Sequence, residues 1–188
     1  MKNNIVNEAL ELNATHASII DTAQITFSSE LRDMCAQNSC GNYGTNWMCP
    51  PAVGELNELI EKVKHYKQGL LFQTVHQLED SFDFEGMENA KSIHTNIFRK
   101  ILENIKNEHQ VKDLLALNVG ACVICPKCTY PEGNKCRFPE KAVSSVEAYG
   151  IDVVALVSSC GIPYNNGKDT VSYVGLILFY DNWEVTKD

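Results

Sequence analysis

Four cysteines are crowded into the second half of the chain in a pattern that suits metal binding. Two residues separate Cys122 from Cys125 and Cys125 from Cys128, and Cys136 follows after seven more. Thiolates at this spacing can surround an object with several metal atoms, each of which takes one sulfur, and bacterial ferredoxins use the same two-residue spacings. We therefore expect this group, the dense cysteine set, to hold one 4Fe–4S cluster.

Two other interpretations of the dense cysteine set stay open at this point. Zinc sites usually combine two separated Cys-x2-Cys pairs around one tetrahedral ion, so a third cysteine that follows at once is in excess. The tetrapeptide from Cys125 to Cys128 also resembles a thioredoxin-like redox pair, which normally has two cysteines only. Iron–sulfur is favoured and zinc is the alternative. Lys127, Lys135 and Arg137 would offset the charge of a thiolate-bound cluster, or they are ordinary solvated charges.

A second, looser group precedes the first and consists of Cys35, Cys40 and Cys49, the upstream trio. It lies in a glycine-rich loop predicted over residues 38–54, which would let the backbone approach a bulky inorganic group. The trio would ligate a second cluster with one open iron, complete the dense site, or consist of thiols that pack as small hydrophobes. Tyr43 and Trp47 would either cover a site or anchor this loop to the core.

The overall composition limits the classes of function. The chain has 188 residues, a net charge of −8 and a pI near 5.1. This acidity disfavours nucleic acid and anionic membranes as partners, and the sequence has neither a signal peptide nor a membrane-spanning segment. A cytoplasmic location is expected, where clustered thiols indicate metal or redox chemistry rather than disulfides. The expected partners are a redox protein or a small-molecule substrate, and the sequence predicts no oligomeric state.

The periodicity of apolar residues predicts an α+β fold. One domain over residues 1–188 is expected, with a mixed or antiparallel sheet packed with helices and two cysteine-bearing loops. Predicted helices cover 4–14, 28–37, 55–66, 85–108, 143–150 and 151–160, and predicted strands cover 17–27, 70–75, 114–119 and 171–180. Ser145 and Asp152 are expected to cap helices, with Glu147 in a first turn. His94 borders the apolar stripe of the longest helix, where a hydrogen-bonded structural histidine is the usual outcome.

Two stretches together resemble a family of predicted metal-binding proteins of unknown function. Residues 35–51 show the pattern C-x4-C-G-x-Y-G-x2-W-x-C-P-P, and residues 122–153 show C-x2-C-x2-C…C-R-x-P-E-K-A…S-x-E-A-x-G-I-D-V. The resemblance implies a cytoplasmic single-domain protein with metal, as iron–sulfur, on cysteine ligands. When the cysteine positions of the family motifs are matched to this sequence, the resemblance implies these ligand candidates: Cys35, Cys40, Cys49, Cys122, Cys125, Cys128 and Cys136. Family members often carry a cysteine where Tyr149 stands here, and Cys160 follows further along.

Overall fold

Two long segments form the centre of a sheet. They are β2 (Gln68–Gln77) and β5 (Thr170–Phe179), which pair in antiparallel orientation along their whole length. The side chains of residues 70–72 and 176–179 are almost completely buried. Consecutive residues of a strand point to opposite faces of the sheet, so both faces are covered here. A sheet that is apolar on both faces requires a layer of other structure on each side.

The computed structural model describes residues 2–180, with side chains from Asn4 onward. In this part of the chain the remaining strands are β1 (His16–Asp21), β3 (Leu114–Asn118) and β4 (Ser144–Ser145), and the sheet order is β1–β2–β5–β3–β4. Neighbouring strands are antiparallel except β3 and β4, which are parallel. The sheet is open and mixed, and the predicted α+β single-domain fold is confirmed.

Helices cover both faces of the sheet. The helices are α1 (Lys2–Glu11), α2 (Ser29–Ala36), α3 (Leu56–His65), α4 (Phe84–Glu108) and α5 (Val153–Ser159). Residues of α1 and α4 pack with Phe72 and its neighbours in one apolar cluster. Residues of α3 and α5 pack with Leu71 and its neighbours in a second cluster on the opposite face. None of the side chains of α2 is buried, so this helix lies outside both clusters.

Two sequence-based assignments differ from the structure. The helix predicted over 143–150 is wrong: Ser144 and Ser145 form the short strand β4, and a 3-10 turn, Glu147–Tyr149, follows. Pairing with β3 takes precedence over helical periodicity here. The strand predicted over 17–27 ends at Asp21, whose carboxylate accepts a hydrogen bond from the Ala23 N–H and caps a 3-10 turn instead.

His94 is completely buried between α4 and the sheet, and it is fully hydrogen bonded. Its Nε2–H donates to Asn118 Oδ1 at 3.0 Å, and its Nδ1 accepts from the Thr74 hydroxyl at 2.8 Å. The Thr74 oxygen in turn accepts from His76 Nε2–H at 2.8 Å. Burial lowers the pKa of His94 to about 4, so the ring is neutral at physiological pH. The expected structural histidine is therefore found at this position.

Among residues 2–180, no helix has the combination of length and apolar character that crossing a bilayer requires.

The burial of His94 predicts a loss of stability in mild acid. Its pKa is about 4 in the folded chain and about 6.5 in an unfolded one. The unfolded state alone gains a proton between these values, so His94 by itself should lower the free energy of unfolding by about 3 kcal/mol from pH 7.5 to pH 4. Urea unfolding of the wild type and of His94→Gln at both pH values measures this change.

His94→Gln keeps a polar side chain that does not titrate, so its pH dependence should be weaker by about that amount. His65→Gln is the control, because this histidine is more than half exposed. Equal pH dependence in wild type and His94→Gln would contradict the assignment of a buried neutral ring.

Candidate metal centre

The dense cysteine set lies in a loop whose two ends are held together. The chain leaves the sheet after Asn118, at the end of β3, and returns at β4, which pairs with β3 in parallel. The main-chain oxygen of Asn118 accepts the Val146 N–H at 3.0 Å. We call residues 119–143 the dense loop. Its ends are adjacent because β3 and β4 are neighbours.

A network centred on Thr129 folds the loop back between Cys128 and Cys136. The Thr129 side chain is buried, and its hydroxyl donates to the Lys135 carbonyl at 2.9 Å. The Thr129 carbonyl accepts the Asn134 N–H at 3.2 Å. Gly133 has a φ of 72°, a left-handed conformation that glycine adopts at little cost. These contacts bring the residues on either side of the 129–135 turn together.

Basic residues of the dense loop contribute to its shape. Arg137 Nη1 donates to the Lys127 carbonyl at 2.9 Å, which joins the two halves of the loop. The Lys127 ammonium pairs with Glu132 at 3.1 Å, and this contact lowers the pKa of the exposed Glu132 carboxyl. Thus Arg137 has a structural hydrogen bond in addition to its charge, whereas Lys127 forms an exposed ion pair.

The four thiols of the dense cysteine set line one cavity of about 350 Å³. Each of these cysteines is half-buried, and each is a free thiol. Ile124, Met48 and Phe138 contribute apolar parts of the same wall. Within residues 2–180, no three histidine, cysteine, aspartate or glutamate side chains converge closely enough to hold a single metal ion. The thiols are therefore distributed around a cavity. Their role as ligands stays a prediction.

The upstream loop, residues 37–55, packs against the dense loop through Trp47. Its indole N–H donates to the Asn134 carbonyl at 3.1 Å, and its ring meets the Tyr130 ring edge-on with centroids 5.0 Å apart. Trp47 also lines the thiol cavity, whereas Tyr43 does not. Trp47 thus combines the two roles that the sequence left open: it covers part of the cavity and anchors the loop.

The upstream trio lies outside the wall of that cavity but close to it. Cys35 is in the last turn of α2, and Cys40 and Cys49 are in the upstream loop. Burial raises the pKa of the Cys49 thiol, and the neighbouring thiols of Cys40, Cys35 and Cys122 raise it further. Burial also raises the pKa of Cys35, against the opposing effect of Arg32. Cys40 thus influences the pKa of both Cys35 and Cys49, and Cys122 of the dense cysteine set influences that of Cys49.

Arg32 holds the upstream trio against the body of the protein, and sequence reasoning missed it. Its Nη1 donates to the Ala148 carbonyl at 2.8 Å, and its Nη2 donates to the Gly54 carbonyl at 2.9 Å. One guanidinium therefore connects α2, the end of the upstream loop and the 3-10 turn after β4. The Cys-rich motif gives no signal for this residue, because its partners are main-chain groups far apart in sequence.

Two cations of α4 border the dense loop, and these too were missed. A Cβ atom at Gly120 would lie 3.0 Å from Lys91 Cε, so the Lys91 side chain passes directly over the start of the loop. Arg99 is half-buried two helical turns later. Burial lowers the pKa of Arg99, while the nearby Cys122 thiolate raises it. The helix thus places the Arg99 charge near Cys122, whereas the Lys91 ammonium pairs with Glu88 at 3.4 Å.

Polar residues after the dense loop act mainly as caps. Asp152 Oδ1 accepts the Ala155 N–H at 3.0 Å at the start of α5, and Ser145 Oγ accepts the Ala148 N–H at 3.1 Å. Glu147 lies in the 3-10 turn, close enough to Cys35 to raise the pKa of that thiol. Tyr149 is buried in the core, and Cys160 packs against the same core at the end of α5.

A larger cavity, of about 570 Å³, adjoins the start of the dense loop. It opens where β5 extends beyond β3, since β3 pairs only with the last four residues of β5. Val119, Val146 and Glu147 form one side of the cavity, and Tyr164 and Tyr173 contribute to the rest of its wall. Val119 is three residues from Cys122, so this cavity and the thiol cavity are close along the chain.

Comparison with known protein families identifies a match. A family model described as Predicted metal-binding protein (DUF2284) matches residues 18–179, which include all eight cysteines. No curated protein and no solved structure matches the chain significantly.

The position of Thr129 predicts that its hydroxyl supports metal binding without touching the metal. Thr129→Val keeps the shape of the side chain but removes the hydrogen bond to the Lys135 carbonyl. Loss of such a supporting contact typically weakens metal affinity about tenfold or more, and it costs about 1 kcal/mol in stability. Metal retained after titration with a chelator measures the first effect.

Thr129→Ser is the matched control, since it restores the hydroxyl and should retain metal as the wild type does. If Thr129→Val and Thr129→Ser lose metal at the same chelator concentration, the turn does not depend on this hydrogen bond.

Proposed function

The chain belongs to this family of predicted metal-binding proteins, and from that premise we propose that it binds an iron–sulfur cluster through the dense cysteine set. Cys122, Cys125, Cys128 and Cys136 would each ligate one iron. A cluster held in this way supplies one-electron redox chemistry, which suits electron transfer or the reduction of a small molecule. The observation that carries the proposal is that these four thiols line a single cavity.

The donor set and its surroundings fit such a group. Four thiols distributed over the wall of a cavity of about 350 Å³ suit a multi-iron cluster, because each iron takes its own cysteine sulfur. The apolar side chains of Met48, Ile124 and Phe138 limit solvent access, and hydrogen bonds and solvent exposure set the potential of a cluster. Arg99 supplies positive charge on the side of α4.

The upstream trio supports a second centre beside the first. Cys35, Cys40 and Cys49 are electrostatic neighbours of one another, and three cysteine ligands would leave one iron of a cluster open. An open iron acts as a Lewis acid that can bind a substrate atom. The upstream loop packs against the dense loop through Trp47, so two such centres would lie on adjoining loops. The protein would therefore hold one or two clusters.

The cavity of about 570 Å³ supports the proposal that the substrate is a small molecule. Its wall includes Glu147, the neighbour of Cys35, and Val119, at the start of the dense loop. A molecule bound there would lie beside the start of the dense loop. We also propose a cytoplasmic location, because clustered cysteines in a reducing compartment serve metal or redox chemistry more often than disulfides.

Chemical analysis of protein purified without oxygen tests the dense site. We expect about four iron atoms and about four sulfides per cluster, with broad absorption near 400 nm that bleaches on reduction. Cys125→Ser should lose the iron and sulfide of one cluster together. Cys160→Ser is the control, since Cys160 packs against the core and should leave the metal content unchanged. Stoichiometric zinc without sulfide would overturn the redox proposal and leave a zinc-bound structural or metal-delivery protein.

The upstream trio is tested by the same analysis on a variant in which Cys35, Cys40 and Cys49 are all serine. If the wild type contains about eight irons and the variant about four, the trio holds its own cluster. An unchanged iron content of about four in both proteins would show that the trio binds no cluster. Circular dichroism establishes that each variant is folded.

A further inference from the structure

The surface around the thiol cavity differs in charge from the rest of the protein. Between Val119 and Ala142 there are four basic and two acidic residues, a net charge of +2, whereas the whole chain carries −8. The basic residues are Lys127, Lys135, Arg137 and Lys141, and all four are exposed. The outside of the metal site is therefore a small positive area on an otherwise acidic protein.

Exposed apolar side chains lie within this positive area. The side chain of Val123 is 65% exposed, between Cys122 and Ile124, and Phe138 is 39% exposed at the edge of the cavity. The Lys141 ammonium lies 5.9 Å from the centre of the Phe138 ring. Arg137 and Lys127 also line the cavity. An apolar centre with charged side chains around it is typical of protein–protein interfaces, in which aromatic residues and arginine are enriched.

We propose that this area, the basic rim (Val123, Lys127, Lys135, Arg137, Phe138 and Lys141), is the docking surface for a small acidic electron-carrier protein. This inference rests on the proposed redox function. Charge complementarity supports it, because an acidic partner is repelled by the overall negative charge of the chain and attracted to the positive rim. The partner is thereby oriented with its cofactor towards the thiols that lie behind the rim.

The small size of the rim suits a transient contact. Electron-transfer complexes commonly bury less than about 1,200 Å² in total, and they depend on electrostatic attraction for fast association.

Nucleic acid is a different class of partner for a positive surface. The net charge of −8 opposes it, and a test with an oligonucleotide decides between the two.

Binding of an acidic plant-type ferredoxin to the purified metal-loaded protein tests the proposal at low ionic strength. A basic cytochrome c and a single-stranded oligonucleotide are the comparison probes. The double variant Lys135→Glu, Lys141→Glu reverses two charges of the rim. Within the described residues, neither of these two lysine side chains forms a hydrogen bond. Lys62→Glu with Lys112→Glu makes the same change at exposed positions outside the rim, and each pair changes the net charge from −8 to −12.

The rim variant should bind ferredoxin about tenfold more weakly and should show less salt dependence, while the control pair changes affinity by no more than about twofold. Equal weakening in both variants would overturn the proposal, since net charge alone would explain it. Binding of cytochrome c or of the oligonucleotide as tight as that of ferredoxin would also overturn it.

Iron and sulfide are measured in the same samples, which separates the two proposals. A sample that contains the cluster and does not bind ferredoxin contradicts the docking surface only. A sample that contains no iron and sulfide contradicts the proposed function, and the electron-carrier partner with it.

Discussion

The hydrogen bonds of Asn118 fix the base of the dense loop, and the arrangement of the thiols depends on that base. Its side-chain oxygen accepts from His94 of α4, and its main-chain oxygen accepts from Val146 after β4. One residue therefore joins the helix layer to both strands between which the loop extends. Because the loop ends are already adjacent, gathering four thiols costs much less conformational entropy than it would in a free segment.

The second cysteine loop is attached by contacts that do not involve its thiols. Trp47 donates to the Asn134 carbonyl, the Ser144 hydroxyl lies 3.5 Å from Met48 Sδ, and Arg32 joins Gly54 to Ala148. The two cysteine groups are thus brought together by packing and main-chain hydrogen bonds. This explains how Cys49 becomes a neighbour of Cys122 although more than seventy residues separate them in the sequence.

Much of the fold could be predicted from the sequence, because apolar periodicity and turn residues are local signals. The long helix α4 and the strand β5 were placed within one residue at each end. The helix predicted over 143–150 failed because Ser144 and Ser145 pair with a strand whose position depends on the whole sheet. Arg32, Lys91 and Arg99 were missed for the same reason: their partners are set by packing between distant elements, and no local pattern indicates them.

The stability of the fold and the chemistry of the site are located in different parts of the molecule. Most buried apolar side chains of the described residues form two clusters on the faces of the sheet, and none of the eight cysteines is fully buried. Small zinc domains unfold without metal because the metal replaces a core. Here the core is formed by β2, β5 and four helices, so the loops can be held in position before metal arrives. Under the proposed function, metal binding would require loss of the thiol protons and would have to overcome the mutual repulsion of the resulting thiolates, which the charge of Arg99 near Cys122 would reduce.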